Sequence, residues 1–341
     1  MTRIRAPANL PELVKNTFNK AKSNGDVNFY PTQATVLHVN SIPFQLRFSP
    51  ALASKPKPPK PAPSNAPGTK QPPPFNPFAD PSPALLVARL DPPSHVLVLN
   101  KFAVVPEHFI LATASFEPQA HLLSAADLAA ARACVDAYHD ASSADGGGGS
   151  LFVFFNSGPH SGASQPHRHL QLLPVDRMRD GLPPGSGWRV LADALLPDDG
   201  DGDNDGAQGG DDDSLLLLPF RCFAERLDGA GGGGSSGEAL RAAYLRLYRR
   251  ACEEVLGTTA EEEEEGEARI SYNLAMTRDV MALCPRRAEG GPVVAGDGGE
   301  EVGRLALNGT VLAGTALVKS QAEWDALRAD PGQLVRVLAR I

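Results

Sequence analysis

The 341-residue sequence has little cysteine. Its four residues, Cys134, Cys222, Cys252 and Cys284, include no C-x-x-C pair. That spacing excludes a zinc ribbon and a small disulfide scaffold, and points to free thiols in a reducing compartment. No apolar run nears the roughly 18–20 residues that span a bilayer, so no membrane association is expected. The N-terminus, Met1-Thr2-Arg3-Ile4-Arg5, is basic but has no apolar stretch behind it. A secretory signal is therefore not expected, and the cytosol is the expected compartment, with the nucleus open. Basic excess is also lacking: the formal net charge is -8. This argues against a non-specific nucleic-acid binder, which carries a basic footprint. Much of the acidity sits in two local runs, so a locally basic phosphate pocket remains compatible with it.

What is present is a mixture of helix- and strand-period segments. Residues 11–22 read as a short helix with Pro11 near its start, and 33–48 as a strand pair. Residues 55–83 hold many prolines and few large apolar groups, the mark of an extended or loop segment. Three apolar runs of strand length follow at 84–90, 95–106 and 108–113. Residues 124–139 have helical spacing behind a cap at Ser124, with Asp127 three residues on. LFVFFNSG (151–158) enters a glycine-rich loop and HRHLQLLP (167–174) leaves it, both as strands.

The Gly/Asp tract at 196–213, the Gly/Ser run at 229–237 and the five glutamates Glu261 to Glu265 have too little apolar content to offset their ordering entropy. The acidic tract lacks the glycine and terminal glutamate of an EF-hand loop, which disfavours a calcium reading. Beyond it, 215–227 is strand-like, 238–256 is an amphipathic helix, and 270–287 reads as two strands around Thr277-Arg278-Asp279. Residues 305–318 read as a strand pair or strand and loop, and 321–341 end in helix. The expected organisation is an N-terminal region 1–195, an acidic linker 196–213 and a C-terminal region 214–341. The expected class is α+β, an antiparallel sheet with flanking helices.

The chemistry is concentrated in residues 156–171, NSGPHSGASQPHRHLQ. Gly158, Gly162 and Ala163 allow close backbone approach, and Ser161, Ser164 and Gln165 add neutral donors. Such a loop can form an anion concavity; an ordinary flexible connector has the same composition. The H-x-H-x-Q that follows puts His167, His169 and Gln171 on one face of a strand, with Arg168 and Leu170 on the other. A neutral imidazole is a competent nucleophile toward phosphorus. A zinc site using both histidines and a purely structural buried pair are the competing readings. No third ligand stands at metal-like spacing, so no metal site is assigned.

This stretch, SGASQPHRHLQ, resembles the signature of the ATP adenylyltransferases, or diadenosine tetraphosphate phosphorylases, a branch of the histidine triad superfamily in which the third histidine is replaced by glutamine. NPFADP (76–81), VLNKFAVVPEHFILAT (98–113), the F-x-P-Q at 116–119, LLPFRCF (217–223), SYNLAMTRDVMALCPRR (271–287) and LNGTVLAGTALVK (307–319) are similar to that family, and occur in its order. The resemblance implies a histidine-triad-like sheet built from two related halves. It implies His169 as nucleophile, helped by His167 and Gln171, and substrate contacts from Lys55, Asn100, Lys101, Asn156, Ser161, Gly162, Ala163, Ser164 and Gln165. From the C-terminal region it adds Asn273, Thr277, Met281 and Arg286.

The reaction implied is phosphorolysis of diadenosine tetraphosphate to ATP and ADP. The substrates would be small nucleotides and phosphate. No covalently bound cofactor is implied; a divalent cation, Mg or Mn, would accompany the polyphosphate. A monomer is expected. Val280 stands where the pattern has tryptophan, Cys222 where it has a histidine or similar, and Val311 where it has an aromatic; these departures bear on substrate fit. A hexose-1-phosphate uridylyltransferase, which also uses H-x-H-x-Q, and a nucleotide-binding sensor with reduced activity are the alternatives.

Overall fold

The computed structural model describes residues 4–51, 76–90, 92, 94–145, 149–196, 218–227, 236–258, 264–296 and 299–341. Lys55, residues 55–75 of the proline-rich segment and residues 197–213 of the acidic linker lie outside the described residues.

The chain opens with helix α1 (Leu10–Asn24), which has proline in its first turn and ends at Gly25 in the left-handed region. A hairpin follows, β1 (Gln33–Val39) and β2 (Ile42–Phe48). Asn40 and Ser41 both take positive φ there, which gives the tight turn a hairpin of this length needs. Next come β3 (Leu86–Arg89), β4 (His95–Leu99), β5 (Phe109–Thr113), helix α2 (Ala125–Asp145), β6 (Leu151–Ser157), β7 (His169–Pro174) and the single turn α3 (Val175–Met178). The remainder is β8 (Phe223–Arg226), α4 (Gly237–Leu256), β9 (Tyr272–Met276), β10 (Val280–Pro285), β11 (Gly290–Val294), β12 (Glu301–Ala306), β13 (Thr315–Val318), α5 (Gln321–Ala329) and α6 (Gly332–Leu338).

Eight strands form one antiparallel sheet in the order β3-β4-β5-β7-β6-β9-β10-β8. The α+β expectation holds, with helices flanking a large antiparallel sheet. Side chains alternate across it as the pleat requires. Val153, Phe155, Leu170, Leu172, Leu274 and Leu283 point into a core shared with α1, α2 and α4. Phe152, Phe154, Leu173, Ala275, Ala282 and Cys284 point into a second core, under β1, β2, β13, α5 and α6. Each fully buried large apolar side chain contributes roughly 1.5–3 kcal/mol, so the sheet is held from both faces. The site lies on the second face.

The helix starts follow the sequence. Ser124 and Asp127 exchange backbone–side-chain bonds at the head of α2, a capping box; Ser236 caps α4, and Ser320 with Glu323 caps α5. Two strand expectations change. The run at 215–227 contributes only the four-residue edge strand β8, and residues 215–217 lie outside the described residues. The segment 305–318 is no hairpin: β12 pairs back to β11, a 3-10 turn spans Gly309–Ala313, and β13 crosses to lie parallel to β2. The glycine-rich β11 carried little strand signal.

The N- and C-terminal regions share one ladder. β6 pairs with β9 from Val153↔Met276 to Ser157↔Tyr272, and β13 completes the small sheet begun by β1 and β2.

Candidate active site

The loop between β6 and β7 is shaped by two glycines in the left-handed region, Gly158 and Gly162. A Cβ at Gly158 would stand 2.5 Å from Ser271 Oγ, and one at Gly162 would stand 2.8 Å from Asn308 Cβ. Conformation and space both require glycine at these positions. Ser161 is buried and turns its hydroxyl inward, donating to Gly158 O at 2.7 Å and accepting from the Ala163 amide at 3.3 Å. Ala163 and Ser164 are exposed. Among the described residues the amides of Ser164 and Gln165 meet no protein acceptor, so they remain available to an anion.

His169 begins β7. Its Nδ1–H donates to the carbonyl of His167 at 2.8 Å, which leaves the lone pair on Nε2. Burial pushes its pKa down to about 4, so the ring is neutral at pH 7. Phe78 lies 5.1 Å away at an interplanar angle of 36° and limits the ring's rotation. His167 precedes the regular strand, in an isolated bridge to Pro118. Its Nε2–H donates to Thr113 O at 2.9 Å, so its Nδ1 accepts from Asn76 Nδ2, also at 2.9 Å. Gln171 is paired opposite Ile110 and Phe154 on the face of His169.

The sequence reading missed several members of this cluster. His108 is buried beside Gln171, hydrogen-bonds to it, and is driven by burial to a pKa of about 4. Its neighbour Asn100, which the resemblance did name, holds the Phe102 amide with its side-chain oxygen at 3.0 Å and faces His108 with its nitrogen at 3.2 Å. Gln119 bonds the backbone of His169 directly. Asn76 and Phe78 come from NPFADP, and His108 and Gln119 from other stretches that resemble the family. The signal was there, but a buried polar residue's partners cannot be read from spacing alone.

Arg168 faces the other way. It donates to Asp127 Oδ2 at 3.0 Å, and Asp127 Oδ1 pairs with His95 Nε2 at 2.9 Å. Burial works to raise the Asp127 pKa; the His95 hydrogen bond and the Arg168 charge overcome it and hold the carboxylate below its ordinary 3.8. Asp127 also anchors Ser124 at the head of α2. Among the described residues no group of three or more His, Cys, Asp or Glu could hold a metal ion.

Residues 1–183 match the family model of the Ap4A phosphorylase N-terminal domain, Ap4A being diadenosine tetraphosphate, and 217–341 match that of the ATP adenylyltransferase C-terminal domain. The chain belongs to the Ap4A phosphorylase family. It is 28% identical over 336 residues to diadenosine tetraphosphate phosphorylase 2 of Saccharomyces cerevisiae, covering 95% of this chain and 91% of that one. It is 31% identical over 299 residues to Protein APA1 of the same yeast, covering 82% and 80%. The crystal structure of yeast Ap4A phosphorylase Apa2 superposes with a TM-score of 0.71 at 25% identity, covering 97% of this chain and 96% of that one. The same yeast enzyme in complex with Ap4A gives 0.69 at 25%, with the same coverage.

Against the Ap4A phosphorylase pattern, the structure gathers His167, His169, Gln171, Asn100 and the loop 161–165 on one side of the sheet. Lys101, next to Asn100 in sequence, is exposed. Asn156 and Asn273 face the same side but are buried and bonded to each other. Asn273 Nδ2 donates to Asn156 Oδ1 at 2.8 Å and to Ser161 O at 2.9 Å, and Asn156 Oδ1 also takes the Gly309 amide at 2.9 Å. Arg286 donates to Asn273 Oδ1 and to the carbonyls of Ala288 and Glu289, both at 3.0 Å. These three form the floor that holds the loop. Thr277 is buried and donates to Asp193 Oδ1 at 2.6 Å. Met281 is corrected: it is fully buried in the core under the helices, because alternation along β10 turns it away from His169. Val280 and Val311 are buried, and Cys222 is half-buried against the second core.

Proposed function

We propose that the chain transfers AMP from Ap4A to phosphate through an adenylyl-histidine. His169 Nε2 attacks the α-phosphorus; a P–N bond forms, the bond to the bridging oxygen breaks, and ATP leaves. An oxygen of inorganic phosphate then attacks the same phosphorus, the P–N bond breaks, and ADP leaves with His169 restored. The observation that carries this reading is the hydrogen bond from His169 Nδ1–H to the His167 carbonyl. It fixes the tautomer whose Nε2 is the nucleophile and stabilises positive charge on the ring as that bond forms. Burial keeps the ring neutral beforehand.

Catalysis of this kind depends on positioning and charge stabilisation. The amides of Ser164 and Gln165, the Gln171 carboxamide and the Lys101 ammonium are the groups offered for that purpose. A divalent cation, Mg or Mn, would arrive with the polyphosphate as part of the substrate. Gln171 favours phosphate over water as acceptor. An amide offers a hydrogen bond but no acid proton, and phosphate is already anionic at pH 7. The enzyme works as a monomer in this reading, since the sheet that carries the site runs through both matched regions of a single chain. Membership of the family favours adenylyl over uridylyl transfer.

The test is product analysis on purified protein with Ap4A. With phosphate, ATP and ADP should appear in equal amounts. Without it, turnover should stop once AMP is loaded. Rapid release of AMP and ATP in phosphate-free buffer would mean a hydrolase, and no turnover would mean a binding protein.

A further inference from the structure

We propose that Gln119 is a positioning residue for the transfer: its carboxamide, set between β6 and β7, fixes the backbone of His169 and so aims the imidazole. The inference rests on the reading of His169 as nucleophile.

The ladder between β6 and β7 runs from Leu151↔Pro174 to Phe154↔Gln171. Continued in that register, Asn156 would oppose His169. The strands part instead, and the Gln119 side chain occupies the gap. Its Oε1 accepts from the His169 amide at 2.8 Å; its Nε2 donates to Asn156 O at 2.8 Å and to His169 O at 3.2 Å. One backbone donor and two backbone acceptors leave a single possible orientation of the amide. The ladder bonds of the residue that must attack are thus supplied by a side chain, which spreads the strands where the phosphate loop leaves β6 and returns to β7.

The same segment grips the approach to β7: Arg168 N donates to Glu117 O at 2.7 Å, and Gln119 N to Pro166 O at 2.8 Å. The His167 carbonyl that fixes the tautomer lies within this gripped stretch. Releasing the His169 amide therefore moves both the nucleophile and the acceptor that orients it.

The test uses the whole chain and two substitutions of similar volume. Gln119→Met removes all three bonds. It should lower kcat about 100-fold, the effect of a misplacement near 1 Å, while KM for Ap4A moves less than about threefold. Gln119→Glu can still accept from the His169 amide, but at neutral pH it sets a carboxylate oxygen against two carbonyls. Once protonated it regains one donor, so its activity relative to the parent should rise as pH falls from about 8 to about 5.5. Loading with α-labelled ATP is measured first on the parent protein. If the parent loads no acid-labile label, the reading of His169 fails and this inference with it. If the parent loads and both variants turn over within about threefold of it at every pH, Gln119 alone is overturned. Variants that fail to fold, or that lose melting temperature with kcat and KM disturbed together, overturn it too, because the amide would then serve only the sheet.

Discussion

On the helix side of β7, Arg168, Asp127, His95 and Ser124 make a charged cluster in which Asp127 is bonded through both oxygens. One residue further on, the opposite side carries His169, His167, Gln171 and His108, all neutral-capable groups held by hydrogen bonds to backbone, amide or hydroxyl rather than by ion pairs. The two clusters are back to back, separated by the thickness of a sheet. The charge within H-R-H faces the helices and serves to anchor the strand, while the reactive face is left uncharged and incompletely bonded. A substrate carrying several negative charges then supplies the field, and the protein supplies geometry. A motif's most conspicuous cation need not touch its anion.

Removing the proposed nucleophile should break the comparison most sharply. His169→Ala should abolish the covalent label and lower turnover by about 10⁴-fold or more. Its unfolding free energy should stay within about 1 kcal/mol of the parent's, because a neutral, lightly bonded ring is lost. Label retained in this variant would place the nucleophile elsewhere.

Asp127→Ala should show the reverse. It leaves Arg168 and His95 buried without their shared acceptor and should cost about 3–5 kcal/mol in urea unfolding. The fraction that remains folded should still accept label at His169. Equal stability to the parent would show that the back of the strand is not an anchor.

Acid separates the two faces without mutation. His169 and His108 are lowered from an ordinary 6.5 to about 4, so the unfolded chain takes up these protons first. Their contribution is complete above about 6.5 and falls as pH drops toward 4, by on the order of 3 kcal/mol for each ring below both values. Asp127 is held below 3.8, so its contribution stays until pH falls through that lower value. Melting temperature should therefore decline between about pH 6.5 and 4, and labelling should persist to well below 6.5 before it fails. Labelling that collapses already at 6.5 would show an ordinary, solvated imidazole at the site.

Deleting residues 198–213 should disturb neither face. The Gly/Asp composition offers no apolar area to bury, and both kcat and melting temperature should stay close to the parent's. A large loss of activity would show that the tract reaches the site.

Much of this arrangement was legible. The two-residue alternation correctly set His169 and Gln171 against Arg168 and Leu170, and the Ser124/Asp127 spacing gave the head of α2. Position within the chain could not say that Asp127 and Arg168, 41 residues apart, would meet. Nor could it say that the family's Asn273 and Arg286 would be bonded to the protein floor. Met281 went astray because a resemblance carries no information on which way a strand's residue points. Gln119 stood in a quoted F-x-P-Q stretch, yet its role exists only where β6 and β7 part, and that gap is a property of three dimensions.

The parallel pairing of β13 with β2 has a consequence for how the protein is made. Thr315 lies beside Gln45 and hydrogen-bonds to it across 270 positions of sequence. At ordinary elongation speeds β2 leaves the ribosome on the order of tens of seconds before its neighbour exists. Through that interval the hairpin of β1 and β2 presents an unpaired edge, the kind of surface that recruits stray strands. Contacts of such long range are also slow to form. The nascent chain thus waits with an open edge until β13 has been translated, and chaperone demand should peak in that window.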